Sequence, residues 1–218
     1  MLKTMRRTKW IPILIGFMTS LPLQAGDLVV QVVDDGRQVL PDAAVYLVTD
    51  QAAEGMPSTS YEVEQKDKMF SPFVTVVPAG ANVSFPNRDG IGHHVYSFSP
   101  AKSFQLPLSE QELTEQIVFE SPGIVTVGCN IHDWMVAYIY VVDTPYFAKT
   151  DAGGQAVFSD LPAGDYEIHV AHPGMKSVQA VTAMVAVGES GNVNQNMALS
   201  IKPRYFWQPE PRMHEEVY

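Results

Sequence analysis

The sequence predicts an all-β fold whose architecture is a sandwich or a barrel. Three observations carry this. Short runs rich in Val, Ile, Phe and Tyr recur along most of the chain. Gly, Pro, Asn and Asp separate these runs, as turns between strands require. One stretch alone, "LSEQELTEQ", reads as a brief helix. With 218 residues, 46% of them hydrophobic, the chain is long enough for one or two packed domains.

The first 25 residues stand apart from that pattern. Lys3, Arg6, Arg7 and Lys9 form a basic start, and the apolar run "WIPILIGFMTSLPL" follows. The run is short for a bilayer span and leads into Gln24-Ala25-Gly26-Asp27. Residues 1–25 therefore read as a signal peptide cleaved after Ala25, and an uncleaved membrane anchor is the competing reading. Export, expected to the periplasm of a Gram-negative bacterium, leaves a mature form with no membrane span.

The strands follow in order. "DLVVQVVDD" and "AAVYLV" flank Gly36; "FVTVV" stops at Pro78-Ala79-Gly80, and "NVSF" at Pro86-Asn87. "HHVYSF" precedes a looser stretch to Leu108, and "EQIVF" ends at Ser121-Pro122-Gly123. "IVTVGC" comes next, and "MVAYIYVV" stops near Asp143-Thr144-Pro145. The segment after Leu199, "SIKPRYFWQPEPRMHEEVY", mixes Pro, aromatics and charge without a period and reads as an extended tail.

Export changes the charge balance. Four of the 14 basic side chains and none of the 24 acidic ones lie in the first 25 residues, so the mature chain has 10 against 24, a formal −14. Such a surface repels nucleic acid and anionic lipid, and it attracts basic protein partners.

Export also makes the single cysteine, Cys129, conspicuous. In an oxidising compartment a lone thiol is buried and inert, bridged to another chain, or bound to a metal. Its neighbours favour the last. In "VGCNIHDWMV" a strand end carries Cys129, a short loop carries His132, and Met135 precedes the next strand. Thiolate, imidazole and thioether then face one point. A second imidazole would complete a trigonal His2Cys site with a weak axial Met, the blue-copper arrangement; the soft thiolate suits Cu(I) and the imidazoles suit both oxidation states. Zinc gains little from a thioether. The second imidazole comes from "NVSFPNRDGIGHHVYSF", where His93 and His94 are both available.

These segments resemble the cupredoxins, and amicyanin among them, which has an equally short Cys-x-x-His-x-x-Met loop. The cupredoxin pattern of Asn, a His six residues on, a polar residue and Val falls on Asn87, His93, His94 and Val95. By that resemblance the ligands of one type 1 copper ion are His93, Cys129, His132 and Met135. Asn87 is either a loop tie that hydrogen-bonds across the site or an ordinary turn residue, and by the resemblance the backbone N–H of His94 would point to the Cys129 sulfur. Trp134 either caps the copper loop or packs beneath it. The chain departs from the pattern at Gly92, where cupredoxins usually have Pro, and at His94, where they usually have Asn. The doublet leaves a second metal contact through His94 open.

A second resemblance covers the flanks. "LVVQVVDDGRQVLPDAAVYLV" and "KTDAGGQAVFSDLPAGDYEIHVAHPGM" resemble the two halves of a carboxypeptidase regulatory-like domain, a small Ig-like sandwich. The expected organisation is a discontinuous Ig-like sandwich over 26–51 and 146–200, an inserted cupredoxin Greek-key β-sandwich over 52–145, and a tail over 201–218. Two sequential sandwiches are the plainer alternative. As a whole the chain is similar to exported proteins grouped under methylamine utilization. The expected copper site implies an electron carrier, not an enzyme, working between redox partner proteins, and the resemblance implies a c-type cytochrome and an amine or quinoprotein dehydrogenase as their kinds. A cell-envelope binding or scaffolding module, or a copper storage or sensing protein, is the alternative.

Other chemistries find no support. A binuclear copper-A centre needs two cysteines, and multicopper oxidases and nitrite reductases need further His clusters. The sequence has no phosphate-cradling Gly-rich loop after a strand and no G-x-S-x-G elbow. His169 and His172 are three apart on an expected strand, which would point them to opposite faces.

Overall fold

A computed structural model describes residues 25–51, 55, 59–108 and 116–203. The expected signal peptide apart from Ala25, the expected helix between Leu108 and Gln116, and the tail from residue 204 onward lie outside the described residues. Every regular element among the described residues is a strand, so the all-β expectation holds. The first nine are β1 (Ala25–Asp34), β2 (Ala44–Val48), β3 (Ser60–Glu62), β4 (Glu64–Lys66), β5 (Met69–Ser71), β6 (Val74–Pro78), β7 (Ala81–Ser84), β8 (Val95–Ser99) and β9 (Lys102–Gln105). They continue with β10 (Gln116–Phe119), β11 (Gly123–Cys129), β12 (Val136–Val142), β13 (Phe147–Lys149), β14 (Gln155–Pro162), β15 (Gly164–Ala171), β16 (Val181–Val187) and β17 (Asn192–Leu199).

Strands from the two ends of the chain share sheets. β1 lies between β14, antiparallel, and β17, parallel; the other sheet has the order β13-β2-β15-β16. Alternation along β1 sends Leu28, Val30 and Val32 to one face, where each is fully buried. They pack in one apolar cluster with Leu47, Phe158, Tyr166, Ile168 and Leu199. The Tyr166 hydroxyl donates back to the Pro162 carbonyl at 2.7 Å, the local tie of a tyrosine corner.

The middle of the chain builds a second set. One sheet runs β6-β12-β11-β8-β9, another β10-β7-β3, and β4 and β5 form a hairpin. Val63, Phe70, Val83, Phe85, Phe119, Val125, Val127 and Ile139 make its core, which includes Cys129 and Met135. The two cores meet across β6 and β12. Ala137, Ile139 and Val141 of β12 face the second core, while Tyr140 and Val142 join the first. "VAYIYVV" reads as an almost unbroken apolar run because both of its faces are covered.

This topology brings the candidate ligands together. β11 ends on Cys129 and β12 starts at Val136, so residues 130–135 turn at one end of the sheet. Cys129 pairs with Val95 at the start of the neighbouring β8, which sets the preceding His93 and His94 at that same end.

Candidate metal centre

The 129–135 loop closes on itself through the backbone. Cys129 N–H donates to the Met135 carbonyl at 3.2 Å, and Met135 N–H to the His132 carbonyl at 3.0 Å. Asn130 N–H reaches across to the His94 carbonyl at 3.2 Å, fastening the loop to the other histidine-bearing segment.

Three donor atoms converge there. His93 Nδ1 lies 3.8 Å from Cys129 Sγ, and His132 Nδ1 lies 3.9 Å from it. Among the described residues, His93, Cys129 and His132 form the one group of three metal-binding side chains, with ligand atoms all within 4.8 Å of one another. Cys129 and His93 are buried, and His132 is half-buried. The donor set fits a copper ion. A first-row metal takes imidazole at about 2.0–2.1 Å and thiolate at about 2.3 Å, so a trigonal plane sets its N···S edges at about 3.8 Å. The two measured edges are already of that length.

The other expected residues fall as follows. Met135 is buried at 1% exposure in the core below the loop. Of the doublet, His93 turns to the thiol; His94 is half-buried, its ring 6.1 Å from that of Tyr96, and it meets the loop through its carbonyl. Asn87 ties its own loop: its Nδ2 donates to the Ile91 carbonyl at 2.8 Å, and its Oδ1 accepts Asp89 N–H at 2.9 Å. Trp134 lies beside His132, ring centroids 5.2 Å apart, and its Nε1–H donates to the Lys68 carbonyl at 3.0 Å. His169 stacks on Tyr46 at 4.8 Å, whereas His172 lies past the end of β15 and is buried.

One site residue was not read from the sequence. Asp89 Oδ2 lies 2.7 Å from His93 Nε2, the ring nitrogen opposite the thiol. Its carboxylate also accepts the N–H groups of Asp67 at 2.6 Å and Lys68 at 3.0 Å. Burial pushes the Asp89 pKa up, but the hydrogen bonds from Lys68, His93 and Asp67 outweigh it and hold the group below the usual carboxylate range. The only signal in the sequence is an Asp four residues before a His, a spacing too common to single out.

The His132 imidazole is shifted down. Burial is the largest cause; the charges of His93 and Lys68 add to it, and Asp89 opposes it. A ring that stays neutral keeps a lone pair for a metal.

A cleft of about 380 Å³ elsewhere, lined by Tyr46, Val48, Ile124, Tyr140, Val142 and Val178 among others, joins the two sets of sheets. It holds none of the three metal-binding side chains.

No family model matches the chain, and no curated protein matches it. Solved structures do. A copper-containing nitrite reductase from Thermus scotoductus SA-01 is 22% identical with a TM-score of 0.38, over 44% of this chain and 25% of the reductase. The match thus spans a quarter of the reductase's length. A purple cupredoxin from Nitrosopumilus maritimus is 22% identical with a TM-score of 0.34, over 38% of this chain and 99% of its own. A Cu(I) form of an amicyanin variant is 16% identical with a TM-score of 0.35, over 45% of this chain and 98% of its own.

Proposed function

We propose that this protein is an exported cupredoxin with one type 1 copper site, which carries single electrons between periplasmic redox partners. The observation that supports it most is the convergence of His93 Nδ1 and His132 Nδ1 on Cys129 Sγ at 3.8 and 3.9 Å. When bound, copper would supply a one-electron Cu(II)/Cu(I) couple. The chain's part is to hold the donors still: Cys129 from the end of β11, His93 from the segment just before β8, His132 from the tied loop, Met135 from the core side. Ligands fixed in one arrangement reorganise little when the metal changes charge.

The half-buried ring of His132 is the expected port for electrons, next to exposed Ile131. The formal −14 of the mature chain favours a partner with a basic patch, and an amine or quinoprotein dehydrogenase and a c-type cytochrome are the proposed kinds. Periplasmic export and the methylamine-utilization setting belong to this proposal and rest on the sequence. So does the insertion of 52–145 into a regulatory-like sandwich. It is supported by β1 and β2 sharing sheets with β13 to β17, and by a separate core for the intervening strands.

Adding Cu(II) to the purified protein tests the site. An intense visible band from thiolate-to-copper charge transfer is expected, together with its loss in Cys129→Ser. A colourless protein that keeps one titratable thiol would remove the carrier reading and leave the envelope-module reading.

A further inference from the structure

A hairpin turn sits behind the candidate ligands. β4 and β5 pair Lys66 with Met69, so the loop between them is the two residues Asp67 and Lys68. Both have positive φ, 54° and 57°, as a type I′ turn demands. Asn and Gly usually take such positions, and a Lys there is uncommon. The turn aims its two N–H groups at one carboxylate, that of Asp89. Its Lys68 carbonyl accepts the Trp134 indole, five residues beyond Cys129 on the ligand loop. One turn therefore grips both ligand-bearing segments.

The carboxylate settles a question of proton placement. An ionised Asp has only acceptor sites, so the ring nitrogen 2.7 Å from it must be the one that carries hydrogen. In a neutral imidazole the other nitrogen is then bare, and here that nitrogen is Nδ1, which faces Cys129. His93 is buried at 1% exposure, so no water competes for its Nε2–H.

We propose that Asp89 is a positioning residue for the candidate metal centre: clamped by the Asp67–Lys68 turn, it locks His93 in the Nε2–H tautomer and turns Nδ1 toward Cys129. A ligand fixed this way pays no ordering cost when metal arrives. The negative charge behind it also favours the higher metal charge. The tautomer lock stands on the metal-free chain; the effect on potential rests on the copper reading above.

The test has two arms. In the metal-free protein, long-range nitrogen–proton correlation spectra report the His93 tautomer. At a pH high enough that the His93 ring is neutral, the wild type should show Nε2 protonated and Nδ1 bare, and Asp89→Ala should populate both tautomers. If Asp89→Ala does not fold, Asp89→Leu, of similar size but with no acceptor, replaces it and should likewise populate both tautomers. An Nδ1–H tautomer in the wild type, or one unchanged by either variant, overturns the proposal whether or not copper binds. In the copper-loaded protein, Asp89→Asn should weaken Cu(II) about 10-fold or more while affecting Cu(I) less. Each tenfold change in that ratio raises the reduction potential by about 59 mV. A wild type that takes no colour with Cu(II) removes the copper reading but leaves the tautomer arm decisive. Coloured protein with an unchanged potential in Asp89→Asn reduces Asp89 to a loop tie and overturns its tuning role.

Discussion

His93 and His94 are neighbours in the chain and in different surroundings. One ring is buried with a carboxylate behind it and a thiol in front; the other is half-buried near the Tyr96 ring. His93→Ala is expected to abolish the visible band of the copper-treated protein, and His94→Ala to keep it, as read by absorption spectra. The reverse result would move the ligand by one position. The sequence made Cys129, His132 and Met135 legible because they lie within seven residues of one another, and their spacing alone brings them together. It left the fourth donor between two candidates. Alternation along a strand decides which of two adjacent residues faces inward, and this pair lies just before β8 begins. Asp89 was illegible for a different reason. Its part depends on contacts with Asp67 and Lys68, more than twenty residues away.

At the scale of elements, the strands with dense Val, Ile and Tyr were readable, and β1, β2, β6, β11 and β12 fall on the expected runs. β3, β4 and β5 were not. "SYEVEQKDKMFS" alternates charge with single apolar residues, and its turn has neither Gly nor Asn to announce it. β12 gives an element-level prediction. Tyr140 is buried at 3% exposure between the two cores, and its hydroxyl has no hydrogen-bond partner among the described residues. Burial and the nearby Tyr138 push its pKa far up, so the hydroxyl stays protonated and unmatched. A buried polar group without a partner costs roughly 1–3 kcal/mol. Tyr140→Phe is therefore expected to stabilise the protein by about 1 kcal/mol in denaturant unfolding, where most core substitutions destabilise.

For the whole molecule, acid is the condition that should separate folded from unfolded chains most clearly. Burial pushes the His172 imidazole down to about 4, with Asp42 and the Pro41 carbonyl opposing that shift. Its Nδ1 accepts the Gly174 N–H at 3.0 Å, so the neutral ring is built into the loop after β15. In the unfolded chain the same ring titrates near about 6.5. Between those values the unfolded state binds more protons than the folded state. The contribution is thus fully present above about 6.5 and is lost as pH falls toward 4, by up to about 3 kcal/mol. Urea unfolding at pH 7 and pH 4.5 should show a smaller acid loss in His172→Gln than in the wild type. Carboxylates titrate too in this chain of 24 acidic residues, and the difference between the two proteins isolates the histidine.

The Asp67–Lys68 turn holds Asp89 with main-chain N–H groups alone. As far as that grip goes, side chains at those two positions can drift among residues that tolerate a positive φ; the Lys68 charge acts separately, on His132. In a family tree of such proteins the turn would look like neutral ground, variable and dispensable. Its inheritance would be one of shape rather than of letters, visible only through the fixed Asp that it serves.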